Sequence, residues 1–350
     1  MQELERLSGG SWTVVGTPPY SRTFHLSVLL DTGKVLSLGG WCPWEADYFT
    51  ELFDPTSELW GPTGNLVHPR TNGALVKLAN GDVLVAGGWM SETAELFTGG
   101  AWRTTRNSPD FRSDFPTLTL LADDTVLMVG GSAHSSAART WRYTPSADQW
   151  AAGPNLTFSR QGNTATRMHD GRVLIVGGHN EVGWPSHTRA LNFTEVYHNG
   201  VLSHGPDLLT PRGEHTATLI NNGRDLLVIG GVQMTQSQSY APVASVEIYK
   251  DGATSFAHAP ARPSQLAVRH TATLLPDGRV LVTGGSASYT GACSTTVELY
   301  DPSTNTWATG PSMNHPRCGH TATLLADGRV LVTGGDFTAS STLPAEIYTP

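Results

Sequence analysis

The chain of 350 residues is poor in charge, in cysteine and in long apolar runs. Charged residues make up only 15% of it, and its net charge of −8 comes without a basic cluster, so nucleic acid is not an expected partner. The three cysteines Cys42, Cys293 and Cys318 are too few and too scattered for a disulfide framework. No apolar run reaches membrane-spanning length, and the first residues lack the apolar segment of a signal peptide. We therefore expect a soluble protein without membrane contacts, and the missing signal favours the cytoplasm.

Glycine, proline and tryptophan are plentiful, with 38, 22 and 10 copies. They stand between short apolar runs that alternate with polar residues. This composition predicts an all-β protein rich in turns.

One pattern recurs along the chain. The sixteen residues HTATLLPDGRVLVTGG from His270 return from His320 with a single substitution. Apolar runs that end in a pair of glycines recur seven times, at intervals of 43 to 54 residues. Each copy continues with Glu-x-Tyr or Glu-x-Phe in all but one case, and usually with a Trp. The Asp-Gly pair between two apolar runs indicates a hairpin, and four strands in about 50 residues are typical of a kelch propeller blade.

The two ends of the chain complement each other. The last copy stops at AEIYTP, after its third strand, and a fourth strand with its Trp is found near residues 11–16, around Trp12. The sequence therefore predicts one domain over residues 1–350. It is an all-β, seven-bladed kelch-type β-propeller with four antiparallel strands per blade. Its N-terminal strand completes blade 7, so the ring closes without an exposed sheet edge.

The whole chain resembles kelch-repeat proteins, and its segment SRTFHLSVLLDTGKVLSLGG (21–40) is similar to repeats in the central domain of galactose oxidase. The resemblance implies a ligand or partner site at one mouth of the central pore, but no single function. Galactose oxidase has a copper-binding His, preceded by a Tyr, at the start of a first strand. The residues before the corresponding histidines here are Phe24, Glu214, Arg269 and Gly319. We therefore do not expect copper-radical oxidation.

Variable loops on one face of the ring are the expected location of function. This face carries the segments after each Gly-Gly pair and the segments that lead into each first strand. Four tryptophans outside the repeat fall in these loops, namely Trp41, Trp44, Trp89 and Trp184. Exposed aromatic side chains usually pack or bind something, so they predict an aromatic wall at the pore mouth. The alternative is that the long loops bury their own tryptophans.

Arginine recurs shortly before the first strand of most blades. By resemblance to kelch adaptors that bind acidic peptides, these side chains could hold a carboxylate or phosphate at the mouth. The alternative is a structural role, with each Arg stacked on a Trp or paired with the recurring Glu. The candidates are Arg22, Arg70, Arg160, Arg212 and Arg317.

Histidine begins the first strand in four adjacent blades, and two cysteines are expected near this arc. Such ligands could bind copper or zinc, whereas a His repeated within HTAT is more typical of a hydrogen bond between blades. We expect no metal and no cofactor. The residues considered are His25, Cys42, Cys318 and His320, with His215 and His270 completing the arc.

Titratable loop residues outside the repeat offer a second kind of chemistry. Glu45, His179 and Asp336 are candidate general acids or bases, and His134 and Asn180 are candidate polar contacts. The sequence thus predicts a monomeric propeller that binds a small molecule or peptide, with or without an anionic group, at an aromatic and Arg-lined mouth. One alternative is a non-redox lyase, cyclase or isomerase that uses acid and base residues in the same pocket. The other is a protein-interaction scaffold.

Overall fold

A computed structural model gives the fold. It describes residues 9–41, 48–89, 91–108, 114–131, 138–182, 187–234, 239–335 and 342–350. Within these residues the chain forms seven four-stranded antiparallel sheets and two short two-stranded hairpins. Each four-stranded sheet is one blade, and in six of the seven blades the strands follow chain order from the inside of the ring to the outside. None of the described residues forms a helix that could cross a membrane.

The strand bounds repeat from blade to blade. Blade 1 contains Leu26–Leu29, Val35–Leu38, Thr50–Asp54 and Leu59–Pro62. Blade 2 contains Ala74–Lys77, Val83–Ala86, Ala94–Thr98 and Ala101–Thr104. Blade 3 contains Thr117–Leu120, Val126–Val129, Thr140–Thr144 and Gln149–Ala152. Blade 4 contains Thr164–Arg167, Val173–Val176, Thr194–His198 and Val201–His204.

The remaining blades follow the same plan. Blade 5 contains Thr216–Ile220, Asp225–Ile229, Val246–Tyr249 and Ala257–His258. Blade 6 contains Thr271–Leu274, Val280–Thr283, Val297–Asp301 and Thr306–Thr309. Blade 7 contains Thr321–Leu324, Val330–Thr333, Glu346–Thr349 and, from the other end of the chain, Ser11–Val14. The hairpins, His179–Val182 with His187–Ala190 and Val232–Met234 with Tyr240–Pro242, follow the Gly-Gly pairs of blades 4 and 5.

Burial explains the composition of each strand. The second strands, such as Val280–Thr283, are buried almost throughout because neighbouring blades cover both faces of the sheet, and they are accordingly rich in Val, Leu and Ile. The outer strands are largely exposed, and in five blades they carry a Trp that packs on an aromatic residue of the third strand in the same blade. The ring centroids of Trp307 and Tyr300 are 5.0 Å apart, and the indole N–H of Trp307 donates to Pro260 O in the preceding connection. The Trp therefore links neighbouring blades.

Ring closure is formed as the sequence predicts. Ser11–Val14 pairs antiparallel with Glu346–Thr349, with Trp12 opposite Tyr348. The two rings pack at 5.2 Å, as in the other blades. The first strands of neighbouring blades contact one another around the whole ring, including those of blades 7 and 1. The predicted seven-bladed propeller is confirmed.

The Gly-Gly pair and the first-strand His form one packing unit. At Gly284 a Cβ would lie 2.3 Å from Arg317 O and 2.8 Å from the His320 ring of the next blade. At Gly285 a Cβ would lie 2.9 Å from the Cβ of His270 in its own blade. Both glycines have positive φ, 60° and 93°. The recurring pair therefore provides space for two histidines at the junction of two blades.

One covalent link was not indicated by cysteine spacing. Cys293 and Cys318 form a disulfide with their Cα atoms 5.2 Å apart. It joins the loop after the blade 6 Gly-Gly pair to the segment that leads into blade 7. Since a bridged sulfur is not a thiolate, Cys318 in this state does not fit the metal-ligand role considered from the sequence.

Candidate functional site

Seven equivalent residues, one from each blade, surround the mouth of the central channel. Each directly precedes the first-strand His or its counterpart, and each has a φ between 53° and 66°. Five of them are not glycine, although this left-handed region is unfavourable for Phe, Glu and Arg. We call this set the mouth ring: Phe24, Asn72, Phe115, Gly162, Glu214, Arg269 and Gly319.

Backbone hydrogen bonds explain the shared conformation. Glu214 N donates to Gly162 O at 2.7 Å, and Gly162 N donates to Phe115 O at 3.3 Å. The same link runs from Phe115 to Asn72, from Gly319 to Arg269 and from Phe24 to Gly319. The left-handed turn therefore lets each residue donate to its counterpart in the preceding blade, which makes the mouth a continuous and rigid backbone structure over most of the ring.

The mouth ring encloses a cavity of about 320 Å³ that all seven blades line. Its wall is formed by the mouth ring together with the first-strand residues beneath it. Phe24, Phe115, Glu214 and Arg269 belong to this wall. A cavity at the axis of a rigid ring, lined by apolar groups and a few polar ones, has the form of a ligand site.

A second tier lies beside the mouth ring. In blades 1, 4, 5 and 6 the residue after the Gly-Gly pair forms a backbone bridge with the residue just before the mouth ring. Trp41 pairs with Thr23, and His179 pairs with Gln161. Trp89 N donates to Thr71 O at 2.7 Å. Three candidates from the sequence, Trp41, Trp89 and His179, therefore occupy equivalent positions next to the cavity.

These three side chains differ in exposure. Trp41 and Trp89 are 39% and 59% exposed, so they are available for contact on the blade 1 and blade 2 side. His179 is buried, and its ring approaches the aromatic ring of Tyr240 edge-on at 6.1 Å. Burial lowers the pKa of His179, which keeps the imidazole neutral, and its Nε2 lies 3.3 Å from Val232 O. The neighbouring Asn180 lies with its side chain against Ser159.

A polar and aromatic cluster spans blades 5, 6 and 1 at the mouth. The Tyr289 hydroxyl donates to both carboxylate oxygens of Glu214 at 3.1 Å. The Tyr289 ring stacks on Tyr240 with centroids 4.4 Å apart. The guanidinium carbon of Arg269 lies 4.3 Å from the centroid of the same Tyr289 ring and 5.2 Å from that of Phe24. Planar groups from three blades thus form one layered contact.

The electrostatics of this cluster are set mainly by burial. Burial raises the pKa of the Glu214 carboxyl, while the Tyr289 hydroxyl and the Arg269 charge act to lower it. Burial and the nearby Glu214 charge raise the pKa of Tyr289. The Glu214 carboxyl group therefore holds a proton more tightly than usual, and it is bonded to the neutral phenol of Tyr289.

The recurring arginines occupy a different place. They are buried in ion pairs with the Glu of Glu-x-Tyr, which corresponds to the structural alternative considered from the sequence. Arg212 lies 2.6 Å from Glu247, and its other nitrogen donates to Gly230 O of the Gly-Gly pair. The carboxylate of Glu247 also accepts the backbone N–H groups of Leu209 and Thr210. The equivalent pairs are Arg22 with Glu51, Arg70 with Glu95, Arg160 with Glu195 and Arg317 with Glu346.

A comparison of blades 7 and 1 shows how the backbone N–H donors affect the pKa of the recurring Glu. Burial by itself would raise the pKa of Glu346, but Asn314 and Arg317 donate to it and bring the pKa below its usual value. The residue equivalent to Asn314 in blade 1 is Pro19, which has no N–H to donate. Burial accordingly raises the pKa of Glu51 despite its partner Arg22. The arginine and glutamate pairs hold the blade connections, and these contacts account for their burial.

The first-strand histidines bond to the neighbouring blade. Nε2 of His25 lies 3.0 Å from Thr321 Oγ1, and Nε2 of His320 lies 3.1 Å from Thr271 Oγ1. His215 and His270 make the same contact with Thr164 and Thr216. Within the described residues no group of three or more His, Cys, Asp or Glu side chains is arranged to hold a metal ion. The geometry of these histidines is that of hydrogen bonds between blades.

Several candidates from the sequence lie outside the described residues. They are Cys42, Trp44, Glu45, His134, Trp184 and Asp336. Conversely, Tyr240 and Tyr289 were not among the site residues expected from the sequence. Glu214, Arg269 and Phe24 were named there only because galactose oxidase has a Tyr at the corresponding position. Their signal was present as a change of residue type at one fixed position, directly before the first-strand His.

The repeat, the closure and the channel mouth define a kelch-type β-propeller, an architecture of binding and protein-interaction scaffolds. The family model described as Attractin/LZTR1 beta-propeller matches residues 94–335, and the chain belongs to this family.

Kelch-like protein 36 of Mus musculus is 25% identical over 193 residues, which are 55% of this chain and 30% of the relative. The Rattus norvegicus protein of the same name matches equally. The chain thus spans less than a third of the length of these curated relatives.

A solved structure supports the fold. It is a fungal alcohol oxidase of the AA5 family in complex with copper, and it matches with a TM-score of 0.77 over 97% of this chain and 76% of its own. The sequence identity is 16%, so the likeness concerns the fold alone.

Proposed function

We propose that this propeller binds a small molecule or a short peptide segment at the mouth ring. The observation that carries the proposal is the group of Phe24, Glu214 and Arg269 in the wall of the 320 Å³ cavity, with Tyr289 packed against Glu214 and Arg269. Features shared by all blades build the ring, whereas these residues differ from blade to blade. A charged pair and left-handed Phe, Glu and Arg residues have a conformational and desolvation cost that the fold by itself does not require, since glycine occupies two of the seven positions.

The site chemistry indicates the kind of ligand. The guanidinium of Arg269 is flanked by Phe24 and Tyr289, so its planar edge carries the donors that match a carboxylate or phosphate. Glu214, which is bonded to the Tyr289 hydroxyl, provides an acceptor. The exposed rings of Trp41 and Trp89 add apolar surface from blades 1 and 2. A ligand with one polar or anionic group and a flat apolar part fits this arrangement.

A second candidate function is a non-redox enzyme that transfers a proton at the same mouth. The observation that favours it is the Glu214 carboxyl, whose pKa burial raises and which shares a hydrogen bond with Tyr289. A carboxyl with a raised pKa in an apolar cavity is suited to act as a general acid or base. This candidate keeps the lyase, cyclase or isomerase class, with Glu214 as the proton-transfer group.

The test begins with a thermal-shift screen of neutral and anionic small molecules and of acidic and basic peptides. Compounds that raise the melting temperature are then measured by calorimetry on Arg269→Gln, Tyr289→Ala and Phe24→Ala. We expect at least a tenfold loss of affinity in each variant, which is about 1.4 kcal/mol or more. The matched control is Arg142→Gln, because Arg142 pairs with Asp123 at the turns on the opposite face. Equal loss in the control, or no loss at the mouth, would contradict the proposal.

The enzyme candidate needs a separate measurement. Ligands that bind are incubated with the protein and followed by NMR for conversion or for exchange of carbon-bound protons with solvent. Glu214→Gln should then abolish conversion and change affinity only a few-fold. Binding without any conversion would leave the binding function and reject the enzyme.

A further inference from the structure

The disulfide lies beside the mouth ring rather than in the blade core. Cys318 directly precedes Gly319 of the mouth ring and is 1% exposed. Cys293 belongs to the loop that follows the Gly-Gly pair of blade 6, and it is only half-buried. The bridge therefore connects a loop on the ligand-facing side to the backbone ring of the next blade.

The same loop carries Tyr289, four residues before Cys293. Backbone pairs fix the two ends of the loop: Ser286 pairs with Val268, and Ser294 pairs with Arg317. Between these ends the chain is largely exposed, and the bond from Gly291 N to Ser288 O is local. The position of Tyr289 between Ser286 and Ser294 thus depends on its own side-chain contacts and on the disulfide.

We propose that the Cys293–Cys318 disulfide is a redox lock on the channel mouth, which holds Tyr289 against Glu214 and Arg269 when it is formed and frees the loop when it is reduced. The inference rests on the proposed function where it concerns ligand affinity. The loop movement itself does not depend on any ligand.

The chemistry requires a thiol reductant. A low-molecular-weight thiolate attacks Sγ of Cys293, the more exposed sulfur, and Cys318 leaves as its thiolate and takes up a proton. A second thiolate then attacks the reductant's sulfur in the mixed disulfide and releases Cys293. Two protein thiols and one oxidised reductant result. The blade strands remain paired, because the ends of the loop are closed by backbone hydrogen bonds that the reaction does not touch.

The experiment uses Cys42→Ser protein, in which Cys293 and Cys318 are the remaining cysteines. Non-reducing peptide mapping checks the bridge, and hydrogen exchange compares the oxidised protein with protein in dithiothreitol. We expect amides in 287–293 to exchange at least tenfold faster after reduction, while those of Val280–Thr283 keep their rates. Cys293→Ser should show the fast rates with and without reductant.

A second measurement reports on the contact between Tyr289 and Glu214 at the mouth in the absence of a ligand. The ¹³C resonance of the Glu214 carboxyl should move on reduction towards its value in the oxidised Tyr289→Phe variant, which lacks the hydroxyl that bonds to Glu214. The proposal is overturned if no bridge is found, if the loop rates or the Glu214 resonance stay unchanged, or if Val280–Thr283 exchanges faster as well. In the last case the bridge stabilises the whole blade rather than the loop alone.

A measurement of ligand affinity in both redox states separates this inference from the proposed function. A molecule identified by the screen should bind the reduced protein at least fivefold more weakly, because Tyr289 then no longer holds Glu214 and Arg269 in place. Equal affinity in both redox states would reject control of binding by the lock and leave the binding function intact. If no molecule binds at the mouth, the proposed function fails, and the exchange and resonance data still decide whether the lock exists.

Discussion

At the scale of single residues, the recurring polar groups are internal connectors. Burial, together with the nearby arginine charges, lowers the pKa of His215 and of His320 to about 3. Burial lowers the pKa of His25 and of His270 as well. These rings are therefore neutral at pH 7, where each can share a hydrogen bond with a threonine of the preceding blade.

We predict an acid-dependent loss of stability from these histidines. In the unfolded chain a His takes up a proton near pH 6.5, but in the folded protein it does so only near pH 3. The unfolded state therefore binds more protons between these values. The stability contribution is complete above pH 6.5, and about 1.4 kcal/mol per buried His is lost for each pH unit below it.

The measurement is urea unfolding at pH 7, 6 and 5. His320→Asn, which copies Asn163 at the same position of blade 4, should reduce the slope of stability against pH by about 1.4 kcal/mol per unit. The matched control is His258→Asn, the same substitution at an exposed histidine. An unaltered slope in His320→Asn would show that this histidine is not held neutral.

At the scale of elements, the Gly-Gly pair ends the second strand and determines how closely the next blade can approach. In blade 6 its first glycine, Gly284, combines a positive φ with close approach to the His320 ring and the Arg317 carbonyl of the next blade. The turn glycine Gly252 also has a positive φ, 78°, but no atom lies within 4 Å of a Cβ placed on it. Substitutions at Gly252 and Gly284 therefore separate the free-energy cost of the left-handed conformation from the free-energy cost of steric crowding.

We predict that Gly252→Ala costs about 1–2 kcal/mol, the cost of a left-handed alanine. Gly284→Ala should cost clearly more, by at least about 2 kcal/mol, because the added methyl meets Arg317 O at 2.3 Å and the blades must separate. Chemical unfolding of both variants gives the comparison. Similar losses at the two sites would mean that the junction of blades 6 and 7 can relax.

At the scale of the whole molecule, the ring is closed by a strand from the opposite end of the chain. The pairing of Ser11–Val14 with Glu346–Thr349 covers the third strand of blade 7 and adds Trp12 to its core. Without this strand, Glu346–Thr349 would be an exposed edge next to the junction of blades 7 and 1. An exposed edge favours pairing with other chains.

We predict that deletion of residues 1–15 gives a protein that associates and unfolds at lower temperature. The matched control is a circular permutant with a flexible linker between residues 350 and 9 and new ends in the turn at Asp251–Gly252. It again completes one blade with strands from both ends, now blade 5, and should stay monomeric and melt within a few degrees of the parent. Size-exclusion chromatography and thermal melting decide this. A monomeric, equally stable deletion variant would show that closure does not depend on this strand.

The sequence by itself determined the fold, because every copy of the repeat contains the same turns, apolar runs and Gly-Gly pair. Local hydrogen bonding and hydrophobic alternation were sufficient to place the strands, the seven blades and the closing strand. The structural alternative for the recurring Arg and Glu could also be derived, since residues repeated in most blades serve needs that all blades share.

Only the tertiary structure decided which of the unrepeated residues meet. Glu214 and Tyr289 are 75 residues apart, and Phe24 and Arg269 belong to blades that adjoin blade 7 on opposite sides. Their contacts arise because ring closure brings seven equivalent positions to one axis. The Cys293–Cys318 bridge was hidden for the same reason, since one cysteine lies in a loop without repeat. Loops follow no periodicity, so their conformation depends on the neighbours that the closed ring supplies.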